Sequence, residues 1–327
     1  MKTDLPSLIE CVPNFSEGRN SKIIDDIVLA MESVPGVKVL HVDMGYDANR
    51  TVITFVGDGN SCQEAAFRSI LRAYQLIDMT LHHGTHPRLG AVDVFPFIPL
   101  GSTKMQEAID RSVLVGKRVA DELNVPVFLY NESATIKSRR SIATIRKGEY
   151  EGLADKLNTD EGKPDFGSNI FNPATGALII GARKILVAYN FNLNTKDKTI
   201  AKKIAEKLRG KNSGLKGVRA IGWYMDQFKC AQVSTNLIDL NSTPLYKTYE
   251  YCNRLANDMG VQITGSELVG MIPLIALTSF TDYFKPKNGL DDRAKVNFAA
   301  ETLGLNSVKA FVAENQIMEW AIAGELN

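Results

Sequence analysis

Three of the four histidines of the chain lie within five residues, in the segment HHGTHPRLGAVDVFPF: His82, His83 and His86. The ordinary pKa of histidine, about 6.5, lets an imidazole accept and return a proton near neutral pH. Glycines allow unusual backbone angles in this segment and Pro87 fixes one, so we expect a rigid, crowded loop. Asp93 follows on a predicted strand. This segment is the first candidate for catalytic chemistry.

Three interpretations of these histidines are open. They can be polar loop residues that only form hydrogen bonds. They can ligate a metal, since His82 and His86 are four residues apart, but Gly84 and Pro87 disfavour a helix there and no HExxH or cysteine pair supports zinc. We favour the third interpretation, in which one histidine is a general acid–base and Arg88 holds an anionic substrate.

A second group of polar residues ends the second predicted strand: Asp43, Asp47 and Asn49, followed by Arg50. A carboxylate here could orient His86 or stabilise a cation in the substrate. Asp and Asn are also common in turns without any function, so turn chemistry is the alternative for this group.

The segment NTDEGKPDFGSNIFNPATG, residues 158–176, is dense in Gly, Pro, Asn and Asp. Its two aromatic residues, Phe166 and Phe171, could flank a flat heterocycle. Nearly twenty residues without regular structure is long for a routine connection. Composition alone nevertheless favours a linker between domains.

Length and charge limit the class of protein. The 327 residues predict two domains, at roughly 100–200 residues per domain. Lys and Arg total 38 against 37 Asp and Glu, which argues against a nucleic-acid partner. The four cysteines form no CxxC pair and fit a reducing compartment. Without a signal peptide or an apolar run of about 18–20 residues, we expect a cytoplasmic protein with no membrane partner.

Hydrophobic periodicity predicts an α/β (α+β) fold of two sandwich subdomains, each with a mixed or antiparallel sheet covered by helices. Residues 1–177 give the order β-α-β-β-α-β-α-β, with helices over 21–31, 63–79 and 104–123 and an antiparallel hairpin formed by strands 37–43 and 51–57. Residues 139–157 are charged and predicted to be helical. Residues 178–327 give β-α-β-β-α-β, a ferredoxin-like order, and a helical tail.

Several segments together resemble one known family. They are ECVPNFSEGRN, NRTVITFVG, HHGTHPRLGAVDVFPFIP, LNVPVFLYNESA, KPDFGSNIFNPATGA, GARKILVAYNFNL, AQVSTNL and GSELVGMIPL. The family is glutamate formiminotransferase, more closely the formiminotransferase part of formiminotransferase–cyclodeaminase. The resemblance runs in order over residues 10–273, and HPRLGAVDVFPFIP is its most specific part. The chain ends where a cyclodeaminase domain would begin, so we do not expect that second activity.

The resemblance implies two α/β subdomains around a tunnel, and a homodimer. The catalytic histidine of the family falls on His86, while His83 is expected to be incidental. The folate-binding loop of the family replaces the linker interpretation. It falls on Gly167, Ser168, Asn169, Ile170, Phe171, Asn172, Pro173, Ala174, Thr175 and Gly176.

The reaction implied by the resemblance transfers the formimino group of N-formimino-L-glutamate to N5 of tetrahydrofolate, a co-substrate, in histidine degradation and one-carbon metabolism. No metal is expected. His86 would take the proton of N5 and give it to the departing glutamate. Asp43 would orient His86 or offset the amidinium charge, and Arg88 and Arg50 would bind carboxylates. The alternatives are an N-formyl-glutamate donor, giving 5-formyltetrahydrofolate, and a folate-binding protein without catalysis.

Overall fold

The strands of the chain form two separate sheets, in a computed structural model that describes residues 6–209, 214–286 and 289–326. The chain divides into two compact units, Met1–Arg183 and Lys184–Asn327. We predicted the boundary between residues 177 and 178. It lies later because the strand Leu178–Ala182 pairs in parallel with two strands of the first sheet.

The first unit carries a mixed seven-stranded sheet. Its strands are β1 (Leu8–Cys11), β2 (Asn14–Phe15), β3 (Lys38–Gly45), β4 (Arg50–Gly57), β5 (Val92–Leu100), β6 (Val127–Leu129) and β7 (Leu178–Ala182). Their order is β1-β4-β2-β5-β7-β6, and β3 extends it by pairing with β4. Only the pairs of β7 are parallel. The helices are α1 (Ser21–Glu32), α2 (Gly59–Leu76), α3 (Met105–Leu123), α4 (Ile142–Ile145) and α5 (Leu153–Leu157).

The three long helices cover one face of this sheet. Side-chain caps begin two of them, since Asn20 accepts the N–H of Lys22 at α1, and Asp58 accepts two N–H groups at α2. On β4, Ile53 and Phe55 belong to the apolar core that these helices share. Because side chains alternate along a strand, Arg50 and Val52 point to the opposite face. Arg50 therefore lies on the face opposite the three long helices, the face on which the short helices α4 and α5 pack against β5, β6 and β7.

Residues 139–157 do not form the helix that we predicted. They contain the end of a 3₁₀ turn (Lys137–Arg140) and the short helices α4 and α5. Gly148 and Glu149 separate these helices with φ angles of +89° and +53°. Two left-handed residues in succession cannot continue a right-handed helix, although the charge pattern alone gives no sign of the break.

The second unit has the predicted β-α-β-β-α-β order: β8 (Val187–Leu193), α6 (Lys198–Leu208), β9 (Val218–Met225), β10 (Cys230–Leu237), α7 (Leu245–Asp258) and β11 (Ile263–Val269). Its sheet has the order β11-β8-β10-β9 and is antiparallel. Four helices follow, α8 (Leu274–Phe284), α9 (Asp292–Leu303), α10 (Ala313–Gln316) and α11 (Met318–Leu326). In the part of the chain that the structure describes, no helix is long and apolar enough to cross a bilayer.

Candidate active site

The imidazole of His86 is held by the turn that precedes β5. Its Nδ1 lies 2.7 Å from the carbonyl oxygen of Pro87. A carbonyl only accepts hydrogen bonds, so this contact is a hydrogen bond in the tautomer that carries the proton on Nδ1 and the lone pair on Nε2. In that tautomer the nitrogen that can accept a proton is Nε2.

Arg50, the first residue of β4, lies against this imidazole. Its Nη1 is 3.0 Å from Nε2 of His86 and 2.5 Å from Nδ1. The guanidinium is fixed from its other side, because Nε donates to Oδ1 of Asn14 over 2.7 Å and Nη2 also contacts that oxygen. Nη1 further pairs with Oδ2 of Asp93 over 3.2 Å. We predicted that Arg50 binds a substrate carboxylate, but here its donors are engaged by the protein.

Asp93 lies on β5, is only 1% exposed, and connects three parts of the site. Its Oδ1 accepts the backbone N–H of Leu89 over 3.0 Å, which ties it to the histidine turn. The side chain of Arg146 donates to both of its oxygens, from Nε over 3.2 Å and from Nη2 over 2.5 Å. Together with the pair to Arg50, these bonds give a buried carboxylate with two cationic partners.

Burial and the neighbouring charges set the protonation state of His86. Burial, and then the positive charges of Arg50 and Arg146, hold the pKa of His86 well below its ordinary value, while the Pro87 carbonyl opposes them. Burial lowers the pKa of Arg50 to about 9, and Asp93 opposes that effect. At neutral pH the imidazole is therefore uncharged and the guanidinium beside it is charged.

Arg88 lies in the histidine turn, and its predicted role in binding an anionic substrate stays a prediction. It is buried, and its two terminal nitrogens donate to the carboxylate of Glu151 over 2.8 and 2.5 Å. Its Nε donates to Nδ1 of His82 over 3.3 Å, and Nε2 of His82 is 2.8 Å from the carbonyl oxygen of Asn49. A substrate carboxylate would have to displace Glu151, whose pKa is lowered mainly by the hydrogen bond from Arg88. Arg88 therefore braces the turn in this structure.

Asp43 lies on β3, the strand that pairs with β4. It is buried, and it stands opposite Val52 of β4, which in turn stands opposite Asn14 of β2. Directly opposed residues in antiparallel strands point to the same face. Asp43 therefore shares with Asn14 and Arg50 the face of the sheet opposite α1, α2 and α3. Its predicted role as orienter of His86 or as counter-charge stays a prediction.

The C-terminal end of the loop formed by residues 167–176 lies directly beside the histidine turn. The N–H of Ala91 donates to the carbonyl of Thr175 over 2.9 Å, and Gly90 bridges to Gly176. A Cβ placed on Gly90 would be 2.5 Å from the carbonyl oxygen of Thr175, so only glycine allows this approach. The middle of the loop is exposed, with Ile170 at 70%. An exposed loop is thus anchored on the turn that carries His86.

Sequence reasoning assigned no role to Asn14, Asp93 and Arg146. A charged residue inside the apolar strand VDVFPF is a signal that could have identified Asp93 as a buried ion-pair partner. Arg146 gave no such signal, because it lies among other charged residues. Over residues 6–209, 214–286 and 289–326, no group of three histidine, cysteine or acidic side chains could hold a metal ion.

Comparison with known proteins matches both units to one family. The model of the formiminotransferase domain, N-terminal subdomain, matches residues 8–183, and that of the formiminotransferase domain matches residues 188–323. A glutamate formimidoyltransferase of Streptococcus pyogenes is 42% identical, over 86% of this chain and 94% of its own. The enzyme of the same name from Thermoplasma acidophilum is 44% identical, over 88% and 95%. A formimidoyltransferase-cyclodeaminase of Dictyostelium discoideum is 43% identical, and the chain spans 61% of its length.

Proposed function

On the premise that the chain belongs to the formiminotransferase family, we propose that it transfers the formimino group of N-formimino-L-glutamate to N5 of tetrahydrofolate and releases L-glutamate. Relatives named glutamate formimidoyltransferase, 42% and 44% identical over most of the chain, support this activity. The structural observation that carries the proposal is the imidazole of His86, held between Arg50 and the Pro87 carbonyl.

The first step needs a base. N5 of tetrahydrofolate is a weakly basic amine, and it becomes acidic when it attacks the formimino carbon and a new C–N bond forms. Nε2 of His86 takes that proton, in competition with the hydrogen bond from Arg50. Because the attacking amine has become acidic, a base of low pKa is strong enough for this step.

The second step needs an acid. The tetrahedral carbon expels glutamate, whose nitrogen leaves only when it is protonated. The imidazolium formed in the first step supplies this proton, and the C–N bond to glutamate breaks. The surroundings that lower the pKa of His86 make its imidazolium a strong acid, which favours return of the proton. Folate is the nucleophile, so the mechanism needs no covalent enzyme intermediate.

The other residues support these two steps. Asp43, on the same face as Arg50, offsets the positive charge of the amidinium as it forms. Residues 167–176 bind folate beside the histidine turn. We reassign Arg50 and Arg88 from substrate binding to positioning, because Asn14, Asp93 and Glu151 already engage their guanidinium groups. A homodimer and a cytoplasmic location are also part of this proposal.

Glutamate release from two donors tests the proposed function. Purified protein is incubated with N-formimino-L-glutamate or N-formyl-L-glutamate, with and without tetrahydrofolate, and the folate product is followed by its absorbance. We expect release from the formimino donor only when tetrahydrofolate is present. Turnover of the formyl donor alone would replace the donor in this proposal. Folate binding without turnover of either donor would overturn catalysis and favour a binding protein.

A further inference from the structure

Tyr150 lies on a tight turn between α4 and α5, outside every group to which the proposed mechanism gives a role. The turn is closed by two backbone hydrogen bonds, from Glu149 to Arg146 over 2.7 Å and from Gly152 to Gly148 over 2.8 Å. The left-handed backbone of Gly148 and Glu149 reverses the chain immediately before Tyr150. The position of this ring is therefore fixed by local structure.

Three contacts of Tyr150 connect the loop of residues 167–176 to the histidine turn. Its hydroxyl donates to the carbonyl oxygen of Pro173 over 2.6 Å. Its ring packs against Phe171, with 5.6 Å between centroids and an interplanar angle of 54°. Cζ of Arg88, in the histidine turn, lies 5.7 Å from the centroid of the same ring. One side chain thus touches two loop residues and the arginine that follows the His-Pro pair.

The hydrogen bond from the Tyr150 hydroxyl reaches the loop at Pro173. Pro173 has no N–H, so its carbonyl is its only backbone hydrogen-bonding group. The turn around it is closed internally, because Asn172 accepts from Ala174 over 3.0 Å and from Gly176 over 2.8 Å. The backbone bonds to Met79 and Ala91 come after Pro173. Tyr150 therefore holds the exposed middle of the loop from outside.

We infer that Tyr150 is a positioning residue for folate, which holds the loop of residues 167–176 in its binding conformation through the Pro173 carbonyl and the Phe171 ring. This inference rests on the proposed function. Ordering a loop before the ligand arrives removes part of the cost of binding. Loss of the hydroxyl should therefore weaken tetrahydrofolate binding and leave the proton transfers of His86 unchanged.

Substitution of the hydroxyl alone tests this inference. A typical hydrogen bond corresponds to a factor of about two to ten in an equilibrium constant. We expect Tyr150→Phe to raise the KM for tetrahydrofolate by about that factor, with kcat and the KM for N-formimino-L-glutamate within about twofold of wild type. Tyr150→Leu also removes the ring and should raise the KM for tetrahydrofolate further.

Tyr283→Phe is the matched control, since it removes a tyrosine hydroxyl bonded to Glu250 in the second unit. It should leave both KM values unchanged. An unaltered KM for tetrahydrofolate in Tyr150→Phe, or an equal rise in both KM values, would overturn the inference while leaving the proposed function intact. If the wild-type protein showed no tetrahydrofolate-dependent turnover of either donor, the proposed function itself would be rejected. The phenylalanine variant decides the question even if the leucine variant does not fold.

Discussion

Nη1 of Arg50 lies 2.5 Å from Nδ1 and 3.0 Å from Nε2 of His86, so a guanidinium stands directly against the imidazole ring. This cation disfavours a second positive charge on the ring, and it adds to the larger effect of burial on the pKa of His86. The arrangement keeps the histidine in its basic form well below neutral pH. It also makes the protonated ring a better acid, which the departure of glutamate requires.

The charge of Arg50 should therefore help to set the pH below which activity is lost. Arg50→Gln removes the cation, so the pKa of the free enzyme's histidine should rise towards its ordinary value. The acidic limb of the kcat/KM profile should then move to higher pH, since the basic form of His86 is lost earlier as pH decreases. Loss of the positioning hydrogen bond should also lower kcat by about ten- to a hundredfold. Steady-state kinetics from pH 5 to 8 measure both effects.

Arg50→Lys is the control for this experiment because it keeps the positive charge but loses the planar guanidinium group with its several N–H donors. Its acidic limb should lie closer to that of the wild type than the limb of Arg50→Gln. Coincident acidic limbs in Arg50→Gln and wild type would show that the arginine charge does not act on His86.

Asp93 should contribute more to stability than any exposed ion pair of the first unit. Asp93→Asn leaves the largely buried side chains of Arg50 and Arg146, each 14% exposed, without a counter-charge and weakens the bond to the Leu89 N–H. Removing one partner of a buried pair costs about 3–5 kcal/mol. Denaturant unfolding should show a loss of this size.

Glu122→Gln is the reference for the Asp93 measurement, since its pair with Arg118 is solvent-exposed. The free energy of unfolding should change by no more than about 1 kcal/mol. If Asp93→Asn were equally mild, the buried network would not hold the site together.

The approach of the loop to the histidine turn depends on Gly90. An alanine there would place its Cβ 2.5 Å from two backbone oxygens, those of Thr175 and Ala177, and neither can move without displacing the loop. We expect Gly90→Ala to raise the KM for tetrahydrofolate at least tenfold and to lower the thermal midpoint. At Gly324 an added Cβ meets no atom within 4 Å, so Gly324→Ala should match the wild type. A normal KM in Gly90→Ala would separate the loop from folate binding.

The sequence predicted the fold well where local signals agree. The periodicity of Ile24, Ile27 and Met31 predicts a helix over 21–31, and α1 runs over Ser21–Glu32 with Asn20 as its cap. The β-α-β-β-α-β order of the second unit is confirmed as well. The boundary was misplaced because β7 is an apolar strand whose partners, β5 and β6, lie far away in the chain. Hydrophobic pattern shows that a strand exists, but not which sheet it joins.

The histidine cluster indicated this turn as a candidate site, because few other residue types titrate near neutral pH. The family resemblance selected His86 among the three histidines, and its catalytic role stays a prediction. The partners of its arginine neighbour come from β2, β5 and the segment after α4: Asn14, Asp93 and Arg146. Only the folded sheet brings these residues together. The predicted carboxylate-binding role of Arg50 and Arg88 rests on the chemistry of the guanidinium group, and the sequence does not show that protein groups contact both guanidinium ions.

Turnover by His86→Ala tests directly whether this histidine carries out the proposed proton transfers. The variant is compared with wild type and with His83→Ala, which alters an exposed histidine of the same loop. Tetrahydrofolate binding and thermal unfolding are measured on all three proteins. We expect kcat for the formimino donor to fall by a factor of about 10²–10⁴ in His86→Ala and not in His83→Ala. Folding and tetrahydrofolate binding should be retained in His86→Ala. Turnover of folded His86→Ala at the wild-type rate would contradict the proposed role of His86.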